Sequence, residues 1–376
     1  MANRLRGPLL VTLVLLLVAC GGGATNTTAP SATTAPAGAT TAAEPPATTA
    51  ATATGELSVL EWAFYEVPEM WVEFGEAHPE VTPVFNFGAS DPDIFAKYLA
   101  GSGEDIVHFY TPYLRFYVDE DLIQPIDTSK LSNWSKVPPL FTDSCTIDGT
   151  VYCVPWDWGF TSLLYRTDMI PEVTSWQALF DDAYAGHVST YDCGDCAVNI
   201  AGSLLGYDPT NLSPEQLEEI KQLYIDQKPN VLFYWADEPT LEAGFTDESL
   251  WLAYAWNGAY YRLLSAGVPV AYADPVEGRE SWIGQYGISA DTENYDLALE
   301  FLDGKLGEQT GTNLLVDYAY GHVVPDYFGA VTDENLVEAL SLDDPTVLDR
   351  TNFTPQISRE QLEQYVGMWA EVQAAQ

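Results

Sequence analysis

Beyond the first 55 residues, the chain alternates short apolar stretches with helix-like stretches, and this rhythm limits the fold more than any other feature. The pattern predicts strands over residues 57–63, 81–87 and 105–110, with helices over residues 68–77 and 93–100 between them. Strands separated by helices of this length form a mostly parallel sheet that helices cover on both faces. We therefore expect an α/β fold.

A second α/β region is expected in the rest of the chain, which with about 320 residues after the N-terminal segment is long enough for two domains. Ser213 with Gln216, and Ser358 with Gln361, form capping boxes that predict the starts of two helices. Residues 250–256 are typical of a strand, and the helix that follows it should run to residue 266.

The N-terminus has the pattern of a secretory signal with a lipidation site. An apolar run ends in Leu-Val-Ala-Cys at residues 17–20 and follows Arg4 and Arg6. The run is too short to span the roughly 30 Å of a bilayer, and cleavage before Cys20 would leave a thiol that can be lipidated. The alternative is a cleaved signal followed by a chance cysteine. We expect a signal peptide over residues 1–19 and a lipid anchor at Cys20.

Residues 21–55 are dominated by Ala, Thr and Pro and bury too little apolar surface to fold. They predict a disordered linker, so that residues 20–55 tether a globular body outside the cytoplasmic membrane. No second apolar run is long enough to cross a membrane. The membrane contact that we expect is through the lipid alone.

The formal net charge is −41, from 55 acidic and 14 basic residues. Such a charge repels nucleic acid and anionic lipid surfaces, so we expect no nucleic-acid partner. Since a ligand pocket needs only two or three carboxylates, most of the acidic side chains must lie on solvated surface.

Four of the five cysteines form two local pairs, and in an exported protein such pairs are expected to be disulfides. Cys145 and Cys153 bracket the turn signal Asp148-Gly149, which predicts a stapled β-hairpin. Cys193 and Cys196 form a Cys-Gly-Asp-Cys loop. Zinc binding or a redox-active dithiol are the alternatives, but the histidines and the paired spacing of a zinc site are missing. We expect no metal and no cofactor.

Several aromatic residues stand at predicted strand ends. Trp62 and Tyr65 follow the first strand, Trp256 ends another, and Trp282 precedes a predicted strand over residues 286–289. In open α/β sheets the ligand crevice lies outside the carboxyl ends of the strands, so these side chains are placed to line it. For any one of them, core packing is the alternative.

Acidic residues accompany the aromatic ones. Asp192 and Asp195 lie at a predicted strand-to-helix transition, and Trp158 lies in a Pro-Trp-Asp-Trp-Gly segment. A cation between aromatic faces gains about 0.5–2 kcal/mol per contact, but its desolvation also requires carboxylates. The combination favours a site for an organic cation, although a helix N-cap is the alternative for each aspartate.

A family resemblance rests on segments that occur in a set order. They are Glu61-Trp62-Ala63-Phe64-Tyr65, Ala96-Lys97-Tyr98-Leu99, Asp105-Ile106-Val107, Leu122-Ile123-Gln124-Pro125-Ile126-Asp127, Ser129-Lys130-Leu131, Val154-Pro155, Trp158-Gly159, Thr174-Ser175-Trp176, Ala255-Trp256-Asn257-Gly258 and the Trp282 segment. In order and spacing they resemble the spermidine/putrescine-binding proteins of ABC importers.

The resemblance implies a type II periplasmic-binding-protein fold. Two lobes, each a mostly parallel sheet flanked by helices, would close over a ligand in the cleft. The expected boundaries are residues 56–161 plus about 284–331 for lobe 1, and residues 162–283 plus about 332–376 for lobe 2. The implied ligand-binding residues, together with the candidate Trp158, are Trp62, Tyr65, Tyr113, Asp192, Asp195, Trp256, Trp282, His322 and Gln356.

The implied function is capture of a polyamine or related small organic cation and its delivery to an ABC permease, by a monomeric, lipid-anchored protein outside the membrane. A lipid-anchored sensory receptor of the same fold is one alternative. An exported hydrolase is another, with Asp192 and Asp195 as its carboxylates, but neither a Gly-x-Ser-x-Gly nor a His-Glu-x-x-His motif occurs. We expect no catalytic residue.

Two positions depart from the family pattern. Gly284 stands where the family usually has an acid two residues after the tryptophan, and Phe64 stands where it often has Glu before the tyrosine. Each lost carboxylate removes a partner that a buried amine needs. We therefore expect a ligand with one well-paired cationic end and a less polar or neutral remainder.

Overall fold

The computed structural model describes residues 56–344 and 346–375. The predicted signal peptide over residues 1–19, the lipidated Cys20 and the linker over residues 20–55 lie outside the described residues. From residue 56 onward the described chain belongs to a single compact unit.

Most strands of the described chain join one large sheet. The strands are β1 Ser58–Trp62, β2 Val84–Gly88, β3 Ile106–Tyr110, β4 Ile123–Gln124, β5 Thr146–Ile147, β6 Thr150–Val151, β7 Cys153–Arg166, β8 Val188–Tyr191, β9 Val231–Trp235, β10 Leu252–Trp256, β11 Val270–Tyr272, β12 Arg279–Ser289, β13 Gly321–His322 and β14 Thr351–Phe353.

Helices cover the faces of this sheet. The α-helices are α1 Val72–Ala77, α2 Asp91–Leu99, α3 Leu114–Asp119, α4 Pro139–Ser144, α5 Gly194–Leu205, α6 Pro214–Gln227, α7 Glu238–Thr246, α8 Asn257–Ser265, α9 Tyr295–Lys305, α10 Glu308–Tyr318, α11 Glu334–Leu340 and α12 Arg359–Ala374. Short 3₁₀ turns connect several of them.

The central order of the large sheet is β2-β1-β3-β12-β7-β10-β8-β9. At one side β2, β1 and β3 run parallel, and at the other β10, β8 and β9 run parallel. The long strands β12 and β7 lie between them and are antiparallel to each other and to their outer neighbours. The sheet therefore has two parallel halves that two crossing strands join.

The crossing strands contribute different segments to each half. Residues 284–288 of β12 pair with β3, whereas residues 161–165 of β7 pair with β10. All fourteen residues of β7 are buried. Helices α1, α9 and α10 pack together beside the first half, while α12 packs on α5 and α6 beside the second.

Most sequence-based predictions of elements are close to the structure. The predicted strand over residues 105–110 is β3, and both capping boxes begin helices, at Ser213 for α6 and at Ser358 for α12. The strand expected over residues 286–289 was too short, because β12 begins at Arg279 and Trp282 lies inside it rather than before it. Pairing along both β3 and β7 explains the extra length.

The predicted hairpin is present, and a disulfide closes it. β5 and β6 pair antiparallel around Asp148 and Gly149, which both have positive φ angles. Such angles are required at the two central residues of a tight hairpin turn, and Asp and Gly tolerate them best. Cys145 and Cys153 are joined across the base of this hairpin, and Cys193 and Cys196 form the second predicted disulfide.

Candidate functional site

Aromatic rings from three strands and a loop meet on the first half of the sheet. We call Trp62, Tyr110, Trp282 and Tyr320 the first aromatic cluster. The ring centroid of Tyr110 lies 5.2 Å from Trp62 and 5.1 Å from Trp282, and Trp282 lies 5.0 Å from Tyr320. The contacts are edge-to-face, and all four residues are only partly buried. Indole and phenol faces are thus available to a ligand.

A second aromatic cluster lies on the other half of the sheet and consists of Tyr191, Trp235, Tyr254 and Trp256. The Trp256 ring lies 5.1 Å from Tyr191 and 5.0 Å from Trp235. Trp235 is buried and donates its indole N–H to the Tyr254 carbonyl. Its fixed ring therefore forms a surface against which Trp256 packs. Trp256 and Tyr191 stay partly exposed and are the members that a ligand could touch.

At Gly159 of β7, the ring of Trp282 and the side chain of Asn257 pack closely against the backbone. A Cβ atom on Gly159 would lie 2.4 Å from the Trp282 ring and 2.8 Å from Oδ1 of Asn257. Trp282 therefore lies across the backbone of β7, next to the first residue of α8. Only glycine permits this contact, which brings Trp282 close to the chain segment that carries Trp256.

Two carboxylates from opposite halves lie near each other between these clusters. Asp91 begins α2 on the first half, and Asp195 lies in the first turn of α5 on the second. Burial raises the pKa of Asp91 to about 7, opposed by a hydrogen bond from the Tyr110 backbone N–H and increased by the charge of Asp195. Burial also raises the pKa of Asp195. Two carboxylates in this position are stabilised by a shared cation.

Aromatic hydroxyls surround this acid pair. Burial, followed by the charges of Asp91 and Asp195, raises the pKa of Tyr191 to about 12. The same three causes raise the pKa of Tyr113, which is almost fully buried. Tyr113, Tyr191 and both carboxylates therefore form one neighbourhood. The predicted site residues Tyr113 and Asp195 lie within it.

The structure does not pair Asp192 with Asp195 around a ligand. Oδ1 of Asp192 accepts hydrogen bonds from Trp369 Nε1 at 2.7 Å and from Gln373 Nε2 at 2.5 Å. Asp192 is exposed and anchors α12 to the end of β8. The charge of Asp195 acts instead on Asp91, from the other half of the sheet.

Tyr65 lies beside the first aromatic cluster, above a group of buried charges. Its ring stacks on Tyr318 at 5.5 Å, and its hydroxyl donates to Oδ2 of Asp157 at 3.0 Å. His108 lies 5.4 Å from the Tyr65 ring and pairs through Nδ1 with Oε1 of Glu61 at 2.5 Å. The backbone N–H of Tyr65 also donates to the carbonyl of Trp62, which places Tyr65 beside the first aromatic cluster.

The buried charges are two acids and two bases. Burial lowers the pKa of His108, but Glu61 and Asp157 outweigh it and raise the pKa to about 9. Burial lowers the pKa of Lys305 to about 8, against the attraction of Glu61 and Asp157. The Lys305 ammonium lies 4.2 Å from the centroid of the Trp156 ring. Glu61 and His108 form a close pair, while Lys305 rests on aromatic faces.

Trp158 and His322 lie in the core rather than in the cleft. The Trp158 indole is buried and donates to the His322 carbonyl at 3.0 Å. Burial lowers the pKa of His322 to about 4, and its ring nitrogens bond to the Lys305 carbonyl and the Val324 N–H. Because their polar atoms are already paired, we leave both residues out of the site.

Gln356 donates to the Ser144 carbonyl at 2.8 Å, and Gln285 donates to the same residue. This contact ties the segment before α12 to the end of α4. The side-chain amide of Gln356 is therefore already engaged. Its expected role as a ligand contact gains no support from this geometry.

A group of donor atoms formed by Cys193, Asp195 and Cys196 has the compactness of a metal site. Both sulfur atoms are bonded to each other, and a disulfide sulfur is not the thiolate that a metal requires. The group therefore has one usable ligand, the carboxylate of Asp195.

Sequence reasoning missed Asp91, Tyr110 and Asp157. Asp91 lies just before the helix predicted over residues 93–100, and the strand end shortly before it was a usable signal. Tyr110 closes the predicted third strand, so the same rule could have found it. Asp157 was visible only as the acid of the Pro-Trp-Asp-Trp-Gly segment, because its neighbours show only after β7 and β12 are placed in register.

Two parallel halves of one sheet, joined by crossing strands and carrying aromatic and acidic side chains, are typical of a solute-binding protein of the type II periplasmic fold. The sequence model of the bacterial extracellular solute-binding proteins matches residues 69–332, and the chain belongs to this family. Among the described residues, no helix is both long and apolar enough to span a membrane.

Curated relatives support this assignment. The chain is 27% identical over 251 residues to the spermidine/putrescine-binding periplasmic protein of Escherichia coli K12, which covers 64% of this chain and 70% of the relative. It is 25% identical over 268 residues to the putrescine-binding periplasmic protein SpuD of Pseudomonas aeruginosa, covering 66% and 72%.

Solved structures share the fold. The TpPotD lipoprotein of Treponema pallidum matches with a TM-score of 0.73 at 19% identity, over 85% of this chain and 99% of that one. The GABA receptor Atu4243 matches with a TM-score of 0.68 at 16% identity, over 86% and 98%. The predicted fold class is confirmed.

Proposed function

We propose that the chain is a lipid-anchored, monomeric, extracytoplasmic protein that captures a polyamine or related small organic cation and delivers it to an ABC permease. The observation that carries this proposal is the placement of Asp91 and Asp195 between two clusters of aromatic rings. The curated relatives, which are named for spermidine and putrescine, support the same ligand class. The anchor would be Cys20, at the end of the signal sequence.

The lobe boundaries that we propose follow the packing of the helices. Lobe 1 comprises residues 56–161 and about 284–331, and lobe 2 comprises residues 162–283 and about 332–376. Helices α9 and α10 pack with α1 on the lobe 1 side, and α11 packs with α8 on the lobe 2 side. The strands β7 and β12 cross between the lobes and would act as the hinge.

Lobe closure is the proposed mechanism of capture. Asp91 belongs to lobe 1 and Asp195 to lobe 2, so an ammonium group that contacts both binds the closed form more tightly than the open form. Burial raises the pKa of both carboxylates, and the charge of Asp195 raises the pKa of Asp91 further, so a bound cation would stabilise their ionised forms. A cationic ligand thus stabilises the form that a permease would recognise.

The proposal is tested by calorimetric titration of the purified protein with putrescine, spermidine and shorter amines. Asp195→Asn and Asp91→Asn should each weaken amine binding roughly 10- to 150-fold, the range of about 1.5–3 kcal/mol for a hydrogen bond to a charged group. Asp93→Asn is the matched control, because Asp93 lies on the same helix but bonds to the exposed Lys97. If no amine binds the wild-type protein, the proposed function is wrong.

Mass spectrometry of the small molecule that copurifies and is released on unfolding would identify the ligand directly. An amine with one or more ammonium groups supports the proposal. An anionic or uncharged solute would contradict it, because Asp91 and Asp195 would then lack a counter-charge.

A further inference from the structure

The carboxylate of Asp157 occupies the place from which an acid at residue 284 would project. Gly284 of β12 is directly opposite Asp157 of β7 in the sheet register. A Cβ atom built on Gly284 would lie 1.8 Å from Oδ1 of Asp157 and 2.7 Å from Nε2 of His108. No side chain fits at residue 284 while Asp157 keeps this position.

The Asp157 carboxylate lies on the face of the sheet where we propose that the ligand binds. Gly284 is two residues after Trp282, so both point to the same face of β12, the face that carries the first aromatic cluster. Tyr65, which lies beside that cluster, donates to Oδ2 of Asp157. The carboxylate therefore lies at the base of the proposed cleft, next to the rings that would enclose a ligand.

One oxygen of this carboxylate is left for a ligand. Asp157 is fully buried, and none of the described residues forms a hydrogen bond with its Oδ1. The nearest cation is His108, whose Nε2 is 3.7 Å away and whose Nδ1 is already paired with Glu61. A buried carboxylate oxygen without a donor is costly, and a ligand ammonium would supply the missing hydrogen bond.

We infer that Asp157 replaces, from the neighbouring strand, the acid that the family pattern places at residue 284, and that the ligand consequently carries a second ammonium group. This inference rests on the proposed function and narrows it. Asp91 and Asp195 hold one ammonium and Asp157 holds the other, with Tyr110 between them. The backbone N–H of Tyr110 bonds to Asp91, and its ring lies 5.4 Å from His108 beside Asp157.

This assignment reverses the expectation, made from Phe64 and Gly284 alone, that only one end of the ligand is charged. The alternative role for Asp157 is to balance His108 and Lys305. In that role its removal would lower stability without changing which ligand binds. Ligands that differ from one another at one end only can distinguish ligand binding by Asp157 from charge balance by Asp157.

The experiment titrates the purified protein at pH 7.5 with 1,4-diaminobutane, 4-amino-1-butanol and 4-aminobutyrate, which share one ammonium and a four-carbon chain. Wild-type protein should bind the diamine at least about tenfold more tightly than the amino alcohol, equivalent to about 1.4 kcal/mol, and should bind the amino acid most weakly. In Asp157→Asn this preference should fall to less than about threefold while the amino alcohol keeps its affinity.

Glu280→Gln is the matched control, since Glu280 is also a buried acid of the crossing strands, on β12, but accepts hydrogen bonds from Ser203 and Asn352. It should leave the diamine preference unchanged. Asp157→Ser, whose smaller side chain keeps an acceptor for Tyr65, is the second variant if Asp157→Asn does not fold, and it should lose the preference too.

Equal wild-type affinity for the diamine and the amino alcohol overturns the inference, as does a diamine preference that survives in a folded Asp157 variant. In both cases amines still bind, so the proposed function stands. Binding of none of the three compounds by wild-type protein overturns the function and the inference together.

Discussion

The raised pKa of Asp91 predicts that ligand affinity depends on pH in the range just below neutral. Asp91 must be ionised to attract an ammonium group, and burial places its pKa at about 7 in the ligand-free protein. The ligand amines, with pKa values near 10, stay charged throughout this range. His108, with its pKa raised to about 9, also keeps its charge. Acidification therefore removes the carboxylate and not the ligand charge.

The magnitude follows from the ionised fraction. With a pKa of about 7, Asp91 is about three-quarters ionised at pH 7.5 and about 1% ionised at pH 5. If only the ionised form binds, the apparent dissociation constant rises about 70-fold between pH 7.5 and pH 5. This corresponds to a loss of roughly 2.5 kcal/mol in the free energy of binding. The pKa of Asp195 is raised as well, so its protonation acts in the same direction.

Calorimetric titration with 1,4-diaminobutane at both pH values measures this effect. Asp91→Asn should bind more weakly at pH 7.5 and should show a much flatter pH dependence, whereas Asp93→Asn should keep the wild-type profile. A wild-type affinity that changes by less than about threefold between the two pH values would refute the placement of an ammonium group on Asp91. A steep profile that persists in Asp91→Asn would assign the titration to another group.

Three further predictions concern packing, the hairpin and the aromatic cluster. Gly284→Ala should lower the free energy of unfolding by about 1–3 kcal/mol, because its Cβ would overlap Asp157, and adding Asp157→Ala should recover much of the loss; thermal unfolding of both variants measures this. Replacing Cys145 and Cys153 by Ala should cost about 2.5 kcal/mol through the lost loop constraint, measured by urea unfolding; an unchanged midpoint would contradict it. Trp282→Ala should weaken diamine binding at least about tenfold in calorimetry, and undiminished affinity would remove this ring from the site.

The sequence predicted the local elements well because their signals are local. The capping box at Ser213 uses the side chains of residues 213 and 216 alone, and the hairpin between Cys145 and Cys153 depends on a two-residue turn. The alternation of strands and helices was sufficient for the α/β class. The length of β12 was not predictable in this way, since it reflects pairing with β3 and β7.

The site was only partly predictable, for the same reason. Trp62 and Trp256 end their strands, so a rule about strand ends found them. The contacts of Asp192 were not predictable, because its partner Trp369 is far away in the chain and only the packing of α12 brings the two together. Asp157 lies within a buried strand, and its significance depends on the glycine opposite it.

The fourteen buried residues of β7 also determine how this chain can be divided. The strand pairs with β10 on one side and with β12 on the other, so a cut between the proposed lobes would remove a neighbouring strand and expose a row of unpaired amides and carbonyls. Fragments that correspond to single lobes would therefore be prone to aggregation. When heated, the intact chain should unfold in one cooperative transition, because neither proposed lobe has a complete sheet of its own.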